Sequence, residues 1–215
     1  YNKVLDQRNA LLKQFYDQRI FDPETIDVWD VQLLELGKVI HEKRQHFLVD
    51  FIPVFQKYFD LIANHKEEIE IEYRSQLNDG NFAEELKKSE RRDMNNGFTS
   101  VGIHKDDLIF HINKQPIKKF GSQGQQKSFL VALKLAQFEI IKNLLDMKPI
   151  LLLDDVFDKL DHHRVTHLMK LVSDHAFGQV FVTDTDIDRI HKVFRDTGME
   201  QRIFKVEGGK VEQAN

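Results

Sequence analysis

The chain has 215 residues, with 31 Lys and Arg against 35 Asp and Glu, a net charge of -4 at pH 7 and 41% hydrophobic residues. This balance excludes a nucleic-acid binder held by bulk positive charge, so any contact with DNA must come from local basic patches. The absence of cysteine excludes disulfides, thiol catalysis and cysteine-ligated zinc. No apolar run approaches the roughly 18 residues of a membrane span, so we expect no membrane partner.

The first part of the chain is typical of helices. Apolar residues recur at helical spacing over 1–64, and Asp22-Pro23-Glu24 predicts the end of one helix and the start of the next. Pro53 should kink or split the second helix, because proline lacks the N–H that a helix interior needs. Strict alternation over 68–73 predicts a half-buried strand. A further helix is predicted over 82–94, ended by a left-handed cap.

The second part is typical of a sheet with helices. Short strands are predicted at 99–102, 107–113 and 117–120. A long helix over 122–145 precedes an apolar run over 149–153, which predicts a strand covered on both faces. Helices at 161–174 and 187–194 then alternate with strands at 179–183 and 202–206, which indicates a parallel sheet. We therefore expect an α/β protein with a mainly helical domain over 1–96, including a strand near 68–74, and a second domain over 97–215.

Two adjacent acids carry the strongest chemical signal. Asp154 and Asp155 directly follow the apolar run, so their carboxylates should lie at the carboxyl end of a buried strand, where α/β sheets bind ligands. In nucleoside triphosphatases the first such acid supports Mg²⁺, and the second orients water or accepts its proton. Two acids that merely solvate the end of a strand are an equally good interpretation of this motif alone.

A glycine-flanked serine opens the long helix. Ser122 lies between Gly121 and Gly124, and a helix N-terminus offers backbone N–H groups, a hydroxyl and a positive dipole end to a phosphate. An ordinary serine N-cap is the commoner arrangement. Gly124 favours the phosphate site mildly, because a glycine in the first turn weakens a helix.

Together these motifs resemble the ABC-type ATPase pattern. Residues 121–125 resemble the signature motif, 151–155 the Walker B strand, 158–161 the D-loop, and 181–184 the switch segment. The strings GIHKDDL, FGSQGQQK, LLDDVF and TDTD narrow the resemblance to the RecF family of bacterial recombination and replication-repair proteins, relatives of the SMC proteins. The match covers about 98–206, and the helical part is similar to that family more weakly.

The resemblance implies a fold and a set of site residues. The fold would be a helical arm domain joined to the signature and Walker B half of an ABC-type head with a mostly parallel sheet. The cofactors would be ATP and Mg²⁺, with Asp154 acting on the metal and Asp155 on the water. The residues implied for nucleotide binding, several of them acting across a homodimer, are Ser122, Gln123, Gly124, Gln125, Asp161 and Asp184.

The resemblance also implies partners and a cellular role. The whole protein would dimerise on ATP, clamp duplex DNA near single-strand junctions, hydrolyse ATP slowly, and work with the recombination mediator proteins RecR and RecO in the cytoplasm. It would serve DNA repair, replication, recombination and the SOS response. The chain opens at Tyr1 inside an amphipathic pattern and contains no G-x-x-x-x-G-K-[ST] motif. We therefore expect a fragment without the P-loop half, inactive as an ATPase by itself.

Basic side chains supply candidates for DNA contact. A stripe on one predicted helix is usually only a solvated face, but the resemblance makes it a candidate for phosphate contacts. A non-enzymatic DNA-binding or protein-interaction module remains the alternative function, and an SMC or transporter head is disfavoured by the short helical part. The candidate DNA-binding residues are Lys87, Lys88, Arg91, Arg92, Lys118 and Lys119.

Overall fold

The computed structural model describes residues 1–20, 22–65, 67–158, 160–173, 177–197 and 201–214. The helices are α1 (Asn2–Gln18), α2 (Pro23–Ala63), α3 (Phe82–Asn96), α4 (Ile117–Phe120), α5 (Gln123–Leu145), α6 (His162–Ser173) and α7 (Ile187–Thr197). The strands are β1 (Ile69–Arg74), β2 (Asp107–Ile112), β3 (Gln115–Pro116), β4 (Leu151–Leu153), β5 (Val180–Val182), β6 (Ile203–Glu207) and β7 (Lys210–Ala214). Within these residues, no helix is both long and apolar enough to cross a bilayer.

The chain forms two compact units. The first comprises Tyr1–Ile52 and Glu70–His111, and the second comprises Pro53–Ile69 and Ile112–Asn215. Each unit therefore takes its residues from separate stretches of sequence. The predicted domain boundary at residue 96 stays a prediction.

The first unit is built around α1, α3 and the first part of α2. The left-handed cap predicted for α3 is confirmed at Gly97, whose φ of 69° is open to glycine at no steric penalty. Two small apolar clusters pack here, one around Leu86 and one around Leu12, both nearly inaccessible to solvent. Burial of such side chains is the main favourable term for this unit.

An ionic centre is also buried in the first unit. The Arg8 side chain has no solvent exposure, and its Nε donates to Asp30 Oδ1 at 2.5 Å. One terminal nitrogen donates to Asp93 Oδ2 at 2.9 Å and to the Thr99 hydroxyl at 3.0 Å. Burial raises the pKa of Asp30, against the opposing effect of the Arg8 guanidinium. The centre therefore connects α1, α2 and α3 through hydrogen bonds.

The second unit combines the end of α2 with α5 and a parallel strand pair. Phe129 of α5 packs on Phe55 and Phe59 of α2, with ring centroids 4.8 and 6.2 Å apart. Strands β4 and β5 pair in parallel, with Leu153 opposite Val182. The predicted α/β class with a parallel sheet is therefore confirmed. An antiparallel pair, β6 and β7, follows near the end of the described chain.

Several predictions about local structure are wrong. α2 is a single helix that continues through Pro53, so of the two expected outcomes the split does not occur, and the kink stays a prediction. Residues 99–102 form no strand, because the Thr99 backbone N–H and hydroxyl are both engaged by Asn9 Oδ1. Residues 117–120 form one helical turn, closed by the Gly121 N–H donating to the Ile117 carbonyl at 2.9 Å.

The strand expected to be covered on both faces is open on one. Leu151 and Leu153 of β4 are buried, but Leu152 between them is 71% exposed. Successive side chains of a strand point to opposite faces, so this alternation assigns one face of β4 to the core and leaves the other to solvent.

Candidate functional site

The carboxyl ends of β4 and β5 bring polar side chains together. Because the two strands are parallel and in register, Asp154 follows β4 where Thr183 follows β5. The Thr183 hydroxyl donates to Asp154 Oδ1 at 2.5 Å and accepts from the Asp155 N–H at 3.0 Å. Both acids are exposed. Thr183 thus orients the Asp154 carboxylate and holds the Asp155 backbone at the edge where α/β sheets bind ligands.

The backbone of Asp155 has an unusual conformation and a hydrogen-bond partner of its own. Its φ of 46° lies in the left-handed region, which residues other than glycine seldom adopt. Its carbonyl accepts a hydrogen bond from Lys127 Nζ at 2.9 Å. Since Lys127 lies in α5, this contact connects the first turns of that helix to the acidic strand end.

Ser122 begins α5 as the N-cap of a complete capping box. Its hydroxyl oxygen accepts from the Gln125 N–H at 3.2 Å, and its own N–H donates to Gln125 Oε1 at 2.8 Å. Such a box satisfies two N–H groups at a helix start. Both polar atoms of the Gln125 amide are bonded, because its Nε2 also donates to Glu67 Oε1 at 2.9 Å.

Asp161 lies at the start of α6 and is held by Arg164. The Arg164 N–H donates to Asp161 Oδ1 at 3.0 Å, and the Arg164 Nε donates to Oδ2 at 3.2 Å. Burial acts to raise the pKa of Asp161, but these bonds and the guanidinium charge hold it below its ordinary value. Asp161 is therefore a stabilised carboxylate. Within the expected D-loop, Lys159 lies outside the described residues.

The sequence of this chain is similar to those of known DNA replication and repair proteins. The DNA replication and repair protein RecF of Flavobacterium johnsoniae is 47% identical over 206 residues, covering 96% of this chain and 57% of the relative. RecF of Cytophaga hutchinsonii is 43% identical over 214 residues, covering 100% of this chain and 57% of the relative. The chain is similar to RecF proteins over nearly its whole length. It spans 57% of the length of these curated relatives.

Solved structures show the same similarity to RecF. A structure of the recombination mediator protein RecF-ATPrS in the RecFOR pathway is similar over 100% of this chain and 57% of its own, with a TM-score of 0.78 and 28% identity. A structure of RecF-ATP in the same pathway gives a TM-score of 0.75 at 27% identity. No family model matches the chain. The predicted resemblance to RecF and the predicted fold class are both confirmed.

Asp184, the nucleotide-binding candidate in the RecF-like switch segment, is turned toward its own loop. Its side chain is nearly buried, and Oδ1 accepts the Asp186 N–H at 2.7 Å. Arg189 lies 3.4 Å from Oδ2 as an ion-pair partner, a contact too poorly aligned to count as a hydrogen bond. The local partners of this carboxylate are those of a loop that leads into α7. A role in nucleotide binding stays a prediction.

The basic stripe on α3 is largely engaged by acids of the same unit. Lys87 Nζ lies 2.5 Å from Glu90 Oε1, and Lys88 Nζ lies 2.7 Å from Glu84 Oε1. Arg92 Nε donates to the Ser100 hydroxyl at 2.9 Å. Pairs of this kind reduce the positive field available to a phosphate. The remaining candidates for DNA contact are all exposed: Arg91, Lys118 and Lys119.

Some residues of the RecF-like site were not found by sequence reasoning. Thr183 could have been found, because it follows β5 at the position where Asp154 follows β4. Arg164 carries a weaker signal, since it lies three residues after Asp161. Glu67 carries none, because it lies in a connection that shows no motif.

Proposed function

We propose that this chain supplies two parts of the nucleotide site of a RecF-type ATPase. They are the Ser122 turn, which comprises residues 121–125, and the acidic strand end, which comprises Asp154 and Asp155. The observation that carries the proposal is the exposed pair Asp154 and Asp155 at the carboxyl end of β4, with Thr183 at the end of the parallel strand β5 bonded to Asp154. An acidic pair that only solvated a strand end would need no such hydroxyl. The RecF-ATP structures similar to this chain support ATP as the nucleotide.

The residues present fit Mg²⁺ and a triphosphate. Adjacent carboxylates are ligands that suit a hard cation, and Asp154 keeps its second oxygen beyond the one bonded to Thr183. Mg²⁺ held by Asp154 would neutralise phosphate charge. Asp155 would orient the attacking water or accept its proton. The Ser122 hydroxyl and the N–H groups of Gln123 and Gly124 would face phosphate oxygens at the positive end of α5.

The whole RecF-type protein would then work as an ATP-dependent clamp. We propose that it dimerises on ATP, binds duplex DNA near single-strand junctions, hydrolyses ATP slowly and acts with RecR and RecO. The names of the relatives, which are DNA replication and repair proteins, support the DNA-directed part. This chain alone lacks a P-loop motif and should bind Mg-ATP weakly.

The first experiment tests the acid pair in a whole RecF-type protein that carries this sequence. Asp155→Asn should preserve ATP binding and slow hydrolysis, because it removes the carboxylate that acts on water. Asp107→Asn, a change of an exposed acid in the other unit, is the matched control. Hydrolysis at the parental rate by Asp155→Asn would show that the catalytic assignment of Asp155 is wrong, whereas no hydrolysis by the parental protein itself would favour the alternative, a non-enzymatic module.

The second experiment tests the Ser122 turn. Ser122→Arg should leave ATP binding by each protomer intact and abolish dimerisation with a non-hydrolysable analogue, because a bulky guanidinium blocks close approach to the turn. Ser122→Ala is the comparison, since it removes the cap and adds no bulk, at a cost of about 0.5–2 kcal/mol. A folded Ser122→Arg protein that still dimerises in sedimentation would contradict the assignment.

A further inference from the structure

One carboxylate oxygen joins two segments of the candidate site. Glu67 Oε1 accepts from Gln125 Nε2 at 2.9 Å and from a terminal nitrogen of Arg164 at 2.8 Å. The Glu67 and Arg164 side chains are only 11% and 16% exposed. A charge pair this shielded from water is less screened than a surface pair, so its geometry is more tightly held.

Arg164 spreads its remaining donors over both segments. Its other terminal nitrogen donates to the Ser128 hydroxyl at 2.8 Å, and that hydroxyl donates to the Gly124 carbonyl at 2.8 Å. Its Nε donates to Asp161 Oδ2 at 3.2 Å. One planar guanidinium therefore bonds the carboxylate that holds Gln125, the hydroxyl that holds Gly124, and Asp161 itself. The rigid fork of arginine suits this task, and a lysine ammonium does not reproduce it.

We propose that Arg164 and Glu67 are positioning residues that hold the Ser122 turn and Asp161 as one body. This inference rests on the proposed function, in which both segments face nucleotide. Neither Arg164 nor Glu67 need touch the nucleotide. They act through Gln125, Gly124 and Asp161, so that a shift of one segment is transmitted to the other.

The Arg164–Glu67 pair also determines which groups at the start of α5 remain available to a ligand. Gln125 Oε1 is held by the Ser122 N–H and its Nε2 by Glu67, so the Gln125 amide is directed inward. The groups left to face a phosphate are the Ser122 hydroxyl and the first N–H groups of α5. Gln125 thus belongs with the positioning residues, and its part in binding is indirect.

The direct test is hydrogen exchange on this chain. Glu67→Gln keeps the shape of the side chain and removes its charge, and within the described part of the chain Glu67 is connected to Asp161 through Arg164. We expect exchange to accelerate about tenfold at residues 123–128 and also at 162–165, since bonds to charged groups are stronger than neutral ones. Arg164→Lys should give the same paired acceleration. Arg74→Met, which removes an exposed arginine of the other unit, is the control.

Two outcomes would overturn the inference. Acceleration confined to 123–128 in Glu67→Gln would mean that Arg164 transmits nothing to Asp161. Acceleration along the whole second unit, together with a lower melting temperature, would mean that the pair only stabilises the fold. Acceleration at 123–128 and 162–165 that exceeds any acceleration elsewhere in the second unit supports positioning.

A second readout separates this inference from the proposed function. In the whole RecF-type protein, Glu67→Gln should raise the analogue concentration for half-maximal dimerisation about tenfold, while each protomer binds ATP normally. If Ser122→Arg still dimerises, the proposed function fails and the exchange result stands by itself. If Ser122→Arg abolishes dimerisation and Glu67→Gln leaves the midpoint unchanged, only the positioning role is overturned.

Discussion

The two units use aspartate in opposite ways. In the first, Asp30 and Asp93 both bond the same guanidinium, that of Arg8, which has no solvent exposure. In the second, Asp154 and Asp155 are exposed, and Thr183 bonds the carboxylate of Asp154 while the bonds from Thr183 and Lys127 to Asp155 involve only its backbone. A fold depends on keeping its buried acids paired, whereas acids left open to solvent are available to a ligand.

This difference explains why sequence position is a poor guide to the role of an acid. Asp93 lies among the charged residues of a helix that looks solvated, yet it is fully buried. Asp155 follows an apolar strand, yet it is exposed. What separates the two is the partner, and the partner of Asp93 is Arg8, 85 residues away along the chain.

The largest expected effect comes from removing the buried guanidinium. Arg8→Met leaves Asp30 and Asp93 without their cation, and breaking a buried pair in this way costs about 3–5 kcal/mol. We expect the free energy of unfolding, measured by urea denaturation, to fall by about that amount. Arg74→Met, at an exposed arginine of the same unit, should change it by no more than about 0.5 kcal/mol. Equal effects from the two variants would contradict a fold-stabilising role for the ionic centre.

A smaller effect is expected where the acids are only oriented. Thr183→Val keeps the shape of the side chain and removes the hydroxyl that bonds Asp154 and the Asp155 N–H. Since these groups stay accessible to water, the loss should be about 1 kcal/mol. In the whole RecF-type protein the same variant should weaken the response to Mg²⁺, because Asp154 loses its orientation. An unchanged Mg²⁺ dependence would show that Thr183 has no part in the site.

A change of pH tests the first unit in a graded way. His104 Nε2 bonds the Thr99 carbonyl at 3.0 Å and its Nδ1 lies 3.1 Å from the Tyr1 hydroxyl. Burial lowers the pKa of His104 below 6.5, so the folded state disfavours the charged form. The resulting stabilisation is complete above about pH 6.5, the pKa of an unperturbed histidine, and is lost as pH falls toward the folded-state pKa. An NMR titration of the His104 ring should give a midpoint below that of an unfolded peptide, and a higher one would contradict this.

Much of the local structure could be predicted because it depends on near neighbours. The Gly97 cap, the Ser122 helix start and the β1 alternation each follow from a few adjacent residues. The failure at Thr99 has another cause, a partner that is distant in sequence. Thr99 looked like a strand residue because nothing nearby shows that Asn9, 90 residues away, engages its backbone N–H and hydroxyl.

The residues of the candidate site also divide into those that the sequence predicted and those that it did not. Ser122, Asp154 and Asp155 were found because each stands at the end of a regular element. Glu67 and Arg164 act through a contact 97 residues apart, and such a contact leaves no local pattern. Gln125 was expected at the nucleotide, which stays a prediction, and its amide bonds Ser122 and Glu67 within the chain.

The smallest expected effect on stability sharpens the comparison most. Asp154→Asn keeps an oxygen that accepts from Thr183 and removes only the charge, which the fold does not need because this side chain is exposed. We expect the free energy of unfolding of this chain to change by less than about 0.5 kcal/mol. Asp93→Asn, the same change beside Arg8, should destabilise far more, because a cation then stays buried with one acid fewer. In the whole RecF-type protein, Asp154→Asn should nevertheless abolish Mg²⁺-dependent hydrolysis. Urea denaturation and hydrolysis measured on the two variants would check this, and a large loss of stability in Asp154→Asn would assign Asp154 to the fold.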